Sequence, residues 1–527
     1  MIRTAVNPRP GEHPDDLDAG LLKIAGVCVL AAVMAALDTT VVSVALRSFI
    51  TEFHTTQAVV AWTMTGNTLA LATVIPLTGW AADRFGTRRL FMGSVLAFTL
   101  GSLLCAMAPN ITLLIAFRVM QGLGGGMLMP LVFIILTREA GPKRLGRLMA
   151  VLGIPMMLGP LGGPILSGWL IGSFGWAWIF LINIPIGALA FTLAAVVFKK
   201  DNAHPSQTFD FIGMLLLSPG LALFLFGGSS LPAHGTVTSR AVWMPASVGL
   251  LLIIGFVFHA LFRADHPLID LRLLKNRMVA LANATMLLLA IAFFGAVLLF
   301  PSYFQQLLGQ TPLQSGVHLI PRGLGALLTM PIAGRIMDKR GPGWVVLVGI
   351  TLIAVGMGTF AYGVSHQYPY TPVLLTGLAV MGMGMGCTMM PLFGSAVRGL
   401  APHQVASGST LINVTLQVAG SIGTALMSVI LTNRFKHSQF IQAAGKAAAL
   451  KEEAAKRGMP LHPSQLPPQV LQPGFMHHVT SDLSHAYTVV FVVAVGFALT
   501  TLIPAVFLPK KPAADAPGRP TIPALAP

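Results

Sequence analysis

A single carboxylic acid, Asp38, lies well inside an apolar segment of this chain. The stretch from Leu37 to Leu46 reads LDTTVVSVAL, and apolar residues continue on both sides of it. Burying a lone carboxylate costs several kcal/mol, so such an acid is protonated, paired or reached by water. An acid of this kind can bind and release a proton in each working cycle. Asp38 is therefore the candidate for proton coupling, with a hydrogen-bond anchor between helices as the structural alternative.

Arg118, in a second apolar segment, is a candidate partner for this acid. It begins the stretch RVMQG, and its guanidinium stays protonated at any working pH. It could keep the surroundings of Asp38 electropositive and so regulate proton release, or simply tie two helices together. A further arginine, Arg322 in PRGLG, lies near the end of its segment, where we expect it to extend to the membrane surface or to pack.

Other polar or aromatic residues in apolar segments are candidate liners of a substrate cavity. They are Trp62, Asn67, Gln121, Asn183, Asn413 and Gln417. Asn and Gln also join membrane helices through hydrogen bonds, so each has a structural alternative. The histidines lack the spacing of metal ligands, and we expect neither a metal nor another cofactor.

The elements that position these residues must be membrane helices. Hydrophobic residues make up 54% of the chain and charged residues 9%, against about 25% charged in soluble domains. Fourteen apolar runs approach the ~20 residues that cross a bilayer, among them 111–136, 147–171 and 487–508. They must be helical, because hydrocarbon cannot satisfy an open backbone. The prediction is an all-α protein of the lipid bilayer.

The distribution of basic residues predicts the orientation of these runs. Arginines and lysines such as Arg84, Arg88 and Arg89 concentrate in the short connections that follow even-numbered runs, whereas the opposite short connections hold only Arg47 and Arg240. By the positive-inside rule, both termini are expected to be cytoplasmic. The net charge of +16 is therefore a topology signal and no indication of nucleic acid.

One sequence pattern occurs twice. IPLTGWAADRFG starts at Ile75 and MPIAGRIMDKRG starts at Met330, a constant separation of 255 residues. Glycine allows close helix approach and a tight turn, and an acid at a helix end can cap a neighbouring helix or pair with a base. We expect these contacts to form in one conformation and break in another. The predicted switch residues are Gly79, Asp83, Arg84, Gly86 and Arg88, with Gly334, Asp338, Lys339 and Gly341 in the second copy.

The duplication predicts two parallel six-helix bundles with two helices inserted between them. The expected parts are a cytoplasmic tail (1–20), an N-terminal bundle (21–200), two linker helices (201–277), a C-terminal bundle (278–508) with an external loop at 432–486, and a cytoplasmic tail (509–527). Parallel repeats around a central site are the layout of a secondary transporter.

These motifs together resemble the major facilitator superfamily, and in particular its fourteen-span EmrB/QacA-type drug:proton antiporters. Beside LDTTVVSVAL, GWAADRFGTRR and RVMQG, the stretches GIPMMLGPLGGP and WIFLINIPIG are similar to the family's fifth- and sixth-span motifs. The pattern departs from the family at Thr87, Ala177 and Arg47. The residues carried by the fifth-span resemblance are Gly153, Gly159, Pro160, Gly162, Gly163 and Pro164.

The resemblance implies a transporter of the bacterial inner membrane that exports amphipathic, cationic compounds, driven by the proton gradient. The position of Asp38 is the family's expected proton or cation site, and the fifth-span motif implies a kinked, tightly packed helix that limits leakage. A periplasmic adaptor protein is a possible partner. Export of an endogenous lipid, siderophore or metabolite is the alternative within transport. A membrane-embedded enzyme would need clustered His, Asp or Glu at a membrane face, which the apolar runs do not offer.

Overall fold

The computed structural model describes residues 19–199, 208–234, 239–297, 299–397, 400–401, 404–457 and 465–510, and all regular structure within them is helical. Most of both predicted tails, part of the predicted external loop, and the side chains of Pro160 and Pro164 lie outside the described residues.

The N-terminal half contains eight helices among the described residues. They are α1 (Ala19–Glu52), α2 (Gln57–Val74), α3 (Thr78–Phe85), α4 (Thr87–Ala106), α5 (Ile111–Gly125), α6 (Leu128–Phe174), α7 (Trp178–Leu181) and α8 (Asn183–Val197). Helices α2 and α3 are separated by a 3₁₀ turn at Ile75–Leu77. Pro76 in this turn lacks a backbone N–H, which favours a break in the α-helical hydrogen bonding.

Two helices then precede the C-terminal half. The pair is α9 (Phe211–His234) and α10 (Arg240–Phe262). The C-terminal helices are α11 (Arg277–Val297), α12 (Leu299–Gln306), α13 (Pro312–His318), α14 (Ile320–Arg340), α15 (Pro342–Ser365), α16 (Leu375–Val397), α17 (Val405–His437), α18 (Gln439–Arg457), α19 (Phe475–Thr500) and α20 (Leu502–Val506).

The two halves repeat the same packing scheme. In the first half α2 and α4 pack on α5, α4 packs on α8, and α1 packs on α6 and α8. In the second half α14 and α15 pack on α16, α15 packs on α19, and α11 packs on α17 and α19. The duplicated sequence pattern therefore corresponds to a duplicated bundle of helices.

Gly86 and Gly341 mark one end of the molecule, which we call the loop end; the opposite end is the far end. Each glycine joins two helices, and both have a φ of 86°. This positive φ is unfavourable for residues with a side chain, so the tight turn expected from the repeated pattern occurs in both copies.

Two contacts between the bundles lie in the half of the molecule toward the loop end. Phe133 of α6 stacks on Phe393 of α16 with ring centroids 3.6 Å apart. A Cβ placed on Gly79 of α3 would lie 3.3 Å from the carbonyl oxygen of Ala406 in α17. The bundles are thus held together where the repeated pattern lies.

The inserted pair α9 and α10 packs beside the seam between the bundles. Helix α9 touches α2 and α17, one helix from each half. The Ser218 hydroxyl donates to the Thr73 carbonyl at 2.7 Å, and Trp62 stacks on Phe226 at 5.6 Å. Asp210 lies 2.8 Å from Nε2 of His259 and so joins the loop ends of α9 and α10.

The segment after α10 lies across the loop end of the bundles. The Asp270 amide donates to the Ser407 hydroxyl at 2.9 Å, which fixes the segment to α17. A polar cavity of about 180 Å³ remains between this segment and α3, with Trp80, Asp83 and Asp265 in its wall.

The predicted spans need two corrections. The connection predicted between 111–136 and 147–171 is itself helical, since α6 is continuous from Leu128 to Phe174. The chain nevertheless reverses direction within α6, because Arg138 pairs with Asp83 at the loop end, whereas Gly159 and Gly163 follow Ala36 and Thr40 along α1 toward the far end. The loop predicted at 432–486 is too long, since α17 extends to His437 and α19 begins at Phe475.

Twelve segments of the described chain are long and apolar enough to cross a membrane. The predicted run 316–337, which covers part of α13 and most of α14, does not meet this criterion, and the run 147–171 includes side chains outside the described residues. Helix α14 ends in the charged sequence DKR and also contains Arg322 and Arg335, which lowers its mean hydropathy.

Candidate functional site

Asp38 and Arg118, predicted separately from two apolar segments, form a buried ion pair. Nη1 of Arg118 on α5 donates to Oδ2 of Asp38 on α1 at 2.7 Å and to Oδ1 at 2.9 Å. The side chains are 1% and 3% exposed, respectively. Within the bundle, this contact joins α1 to α5.

Arg118 has other acceptors besides the carboxylate. Its Nη1 donates to Oε1 of Gln121 at 2.5 Å, and its Nε donates to the carbonyl oxygen of Thr63 on α2 at 3.1 Å. The guanidinium carbon is 5.7 Å from the centroid of the Phe180 ring. A loss of negative charge at Asp38 therefore leaves the guanidinium with two hydrogen-bond acceptors and an aromatic face.

Gln121 extends the network to two more helices. Its Nε2 donates to Oδ1 of Asp38 at 2.9 Å and to the Ser102 hydroxyl on α4 at 2.6 Å. Nδ2 of Asn183 on α8 donates to the same hydroxyl at 3.2 Å. Five helices of the N-terminal bundle thus meet at one polar cluster, which we call the Asp38 network: Asp38, Thr63, Ser102, Arg118, Gln121 and Asn183.

The chemistry available to this network is proton exchange linked to helix movement. Removing one partner of a buried ion pair costs about 3–5 kcal/mol, because the other charge stays buried without compensation. A proton on Asp38 replaces that charge and weakens its attraction to Arg118, so proton binding and opening of the α1–α5 contact are linked. Both roles expected for Arg118, regulation and attachment, depend on this one contact.

The glycines of the fifth-span motif lie against α1 beside Asp38. A Cβ on Gly159 would lie 2.7 Å from Cβ of Ala36 and 3.0 Å from its carbonyl carbon. A Cβ on Gly163 would overlap the Thr40 hydroxyl, which itself donates to the Gly159 carbonyl at 3.2 Å. Gly162 has no neighbour within 4 Å of such an atom. The motif therefore allows α6 to approach α1 closely at Gly159 and Gly163.

Gly153 of the same motif belongs to the contact between the bundles. A Cβ there would lie 2.5 Å from Sδ of Met330 in α14. The motif thus serves the packing of α6 on both sides, against α1 within its own bundle and against α14 of the other.

The charged residues of the first repeated pattern make contacts within the N-terminal bundle. Asp83 pairs with Arg138 of α6, with Oδ1 and Nη2 2.6 Å apart, so pairing is the relevant one of its two expected roles. Nη2 of Arg88 donates to the Ala195 carbonyl near the end of α8. Arg84 is half-buried at the end of α3.

The second copy lies at the loop end of α14. Gly334 is buried, Asp338 is half-buried and Lys339 is exposed. Whether these residues and their first-half equivalents switch contacts during transport stays a prediction.

The six candidate cavity residues separate into different environments. Gln121 and Asn183 belong to the Asp38 network, whereas Trp62 faces the inserted helix α9. Asn67 is 3% exposed and its Oδ1 has no hydrogen-bond partner. Asn413 donates to the Ser409 carbonyl of its own helix, and Gln417 is half-buried. Contact of any of them with a substrate stays a prediction.

The sequence did not reveal Thr63 and Ser102 as members of the network. A serine in an apolar run is common in membrane helices and carries little information alone. Thr63 contributes its backbone carbonyl, a group that every residue has, so its residue type gives no signal. The short spacing between Arg118 and Gln121, three residues apart on one helical face, was the available signal for a shared site.

Arg322 packs inside the C-terminal bundle, which is one of the two arrangements expected for it. Its guanidinium carbon lies 5.7 Å from the centroid of Phe300, a ring with no exposed surface. Its Nη1 is buried without a hydrogen-bond partner, and no ion pair joins it to another residue of the described ranges. A cation–π contact contributes about 0.5–2 kcal/mol, whereas removing a charge from water costs several kcal/mol. Nη1 of Arg322 therefore lacks the acceptor that its burial requires.

Two repeated helical bundles in contact with each other, with a buried ion pair in the first, have the architecture of a secondary transporter. The profile of the Major Facilitator Superfamily matches residues 28–424. The chain belongs to this superfamily, and it is a multi-pass protein of the bacterial inner membrane.

Two relatives and one solved structure illustrate the similarity. The chain is 64% identical over 514 residues to the Multidrug resistance protein B homolog of Mycobacterium tuberculosis, covering 97% of this chain and 95% of that protein. It is 30% identical over 423 residues to the Multidrug export protein EmrB of Escherichia coli, covering 78% and 81%. A double-tryptophan mutant of XylE shares the fold with a TM-score of 0.59 at 15% identity, covering 92% of this chain and 96% of that one.

Proposed function

We propose that this transporter exports amphipathic compounds in exchange for protons, by alternating access between two bundles whose loop ends face the cytoplasm. The observation that carries the proposal is the Asp38–Arg118 pair, a protonatable acid held by a permanent cation inside the N-terminal bundle. The names of the relatives, a multidrug resistance protein homolog and a multidrug export protein, favour drug-like cargo.

In this cycle, a proton that reaches Asp38 from outside weakens its contact with Arg118. Helix α1 can then shift relative to α5, and α6 moves with α1 because Gly159 and Gly163 pack closely against it. The same part of α6 carries Gly153, which lies against Met330 of the C-terminal bundle. Helix α6 thus connects the site of protonation to the contacts between the bundles.

The pairing of Asp38 changes the argument about cargo charge. A free carboxylate in an apolar cavity would favour cations, but this carboxylate is already neutralised by Arg118. A cationic compound would have to compete with a covalently tethered guanidinium for the same oxygens. The proposal is therefore made for amphipathic compounds, and their charge is treated separately below.

Reconstitution into liposomes with an imposed proton gradient tests the proposal. We expect at least one amphipathic dye to accumulate in the direction opposite to proton flow. A protonophore should stop this accumulation, because it removes the gradient that drives it. Empty liposomes are the control for passive entry of the dye.

If no dye of a broad panel moves under any gradient, the drug proposal fails, and the alternative of an endogenous lipid, siderophore or metabolite as cargo gains support. Accumulation that survives the protonophore would contradict proton coupling.

A further inference from the structure

The C-terminal bundle contains a charged group without a protein counterpart. Nη1 of Arg322 has no accessible surface and no hydrogen-bond partner, and the side chain as a whole is half-buried. The Phe300 ring under the guanidinium offers a π face and no acceptor atom. Guanidinium donors in a fork match the oxygens of a carboxylate, so the group best suited to Arg322 is an anion.

The buried surroundings contain a second unused donor. Tyr303 lies three residues after Phe300 in α12, is fully buried, and its hydroxyl has no hydrogen-bond partner. Both rings pack against Phe360, with centroid distances of 4.9 Å from Phe300 and 5.5 Å from Tyr303. An aromatic cluster with unsatisfied donors is suited to an amphiphile that carries an acidic group.

The internal duplication makes this arginine equivalent to a residue of the first half. A separation of 255 residues relates Arg322 to Asn67, the same separation that relates the two loop patterns. The backbone contacts agree: a Cβ on Gly122 would lie 2.6 Å from the Asn67 carbonyl, and a Cβ on Gly382 would overlap the Arg322 carbonyl. Gly122 and Gly382 begin the matching stretches GLGGGMLMP and GMGMGCTMMP.

Equivalent positions in parallel repeats are related by the axis that passes between the bundles, where transporters of this layout bind cargo. Both members of this pair carry an unsatisfied buried polar atom, Oδ1 of Asn67 and Nη1 of Arg322. One is an acceptor and the other a charged donor, so the two halves offer different chemistry at this equivalent position.

We propose that Arg322 binds the anionic group of the transported amphiphile, so that the preferred cargo carries a carboxylate or an equivalent acid. The inference rests on the proposed export function and names its substrate class. The charges support it: the Asp38–Arg118 pair is neutral as a unit, and Arg322 is a positive charge with no partner among the described residues. An acidic cargo would supply the acceptor that Arg322 lacks.

A matched pair of dyes tests this without a proton gradient. Rhodamine B carries a free carboxylate, and its ethyl ester has the same ring system without that charge. Binding of each dye to the purified full-length protein in lipid nanodiscs is measured by fluorescence polarisation. We expect the wild-type protein to bind the acid about tenfold more tightly than the ester, the factor that corresponds to 1.4 kcal/mol.

Three variants test whether Arg322 causes the preference for the acid over the ester. Arg322→Gln should reduce the ratio of the two affinities to about one, and Arg322→Lys should keep part of it, because the positive charge remains without the fork. Arg240→Gln is the matched control: this arginine is exposed at the far end of α10, and its removal should leave the ratio unchanged. Thermal unfolding of each variant checks that it is folded.

Failure of the acid to bind the wild-type protein, or an equal ratio in the wild type and Arg322→Gln, would overturn the inference. If Arg322→Gln does not fold, the ratio of the wild-type affinities for the acid and the ester still tests the inference, because a ratio of about one would contradict it. The two proposals can fail separately: a proton-coupled exporter of cations would accumulate the ester and bind the acid no better, and a transporter without proton coupling could still prefer the acid.

Discussion

Asp38→Asn is expected to abolish proton-driven accumulation of cargo while leaving the protein folded. The amide oxygen can still accept a hydrogen bond from Arg118, and its size matches the carboxyl it replaces. The amide cannot take up and release a proton, so the link between the proton gradient and the α1–α5 contact is lost. Accumulation in liposomes with an imposed gradient should fall to the level of empty liposomes.

Asp38→Ala provides the contrast, since it also removes the acceptor. Arg118 would then keep only Gln121 and the Thr63 carbonyl, and we expect a loss of about 3–5 kcal/mol in stability, seen as a lower melting temperature. Removing Arg118 as well, in Asp38→Ala/Arg118→Leu, should restore most of the stability and none of the coupled transport. Wild-type accumulation by Asp38→Asn would contradict the assignment of Asp38 as the proton site.

Gly159→Ala, a substitution in α6, is expected to disrupt the Asp38 network by displacing α1. The new methyl group would lie 3.0 Å from the carbonyl carbon of Ala36, a backbone atom that a rotamer change cannot move away. Helix α1 must then shift at a point two residues before Asp38. Overpacking of this kind costs about 1–3 kcal/mol. We expect coupled transport to fall to a small fraction of the wild-type rate and the melting temperature to decrease.

Gly162→Ala is the matched control in the same motif of the same helix. A Cβ at this position has no neighbour within 4 Å, and the gain in helix propensity is the same as at Gly159. The control should therefore transport at close to the wild-type rate. Equal losses in both variants would mean that the motif acts through helix flexibility and not through its contact with α1.

Much of the architecture could be predicted from sequence patterns, because physical constraints allow these patterns only one kind of structure. Hydrocarbon forces apolar runs to be helical, and the repeated loop pattern predicted two equivalent halves, whose helices do pack in the same pairs. A buried acid and a buried arginine in different apolar runs are costly alone, so their pairing could be anticipated. The glycines at the ends of both patterns were predicted to allow tight turns, and both have positive φ.

Other features depend on packing that the sequence does not display. Helix α6 includes Gly141 and Pro142, two residues whose local preference is for a break. The sequence left the direction of Arg322 open, because its position near a helix end is equally compatible with a path outward and with a path toward Phe300. Only the arrangement of α12 against α14 distinguishes the two. The carbonyl of Thr63 in the Asp38 network has no residue-type signature at all.

The central claim is that Asp38 carries the proton that exchanges with cargo, and its most direct test is to follow protons. Liposomes containing the transporter and a trapped pH-sensitive dye are loaded with a transported amphiphile, and no proton gradient is imposed. Downhill movement of the amphiphile should drive opposite proton movement in the wild-type protein and none in Asp38→Asn. Equal proton movement in the two proteins would contradict the account.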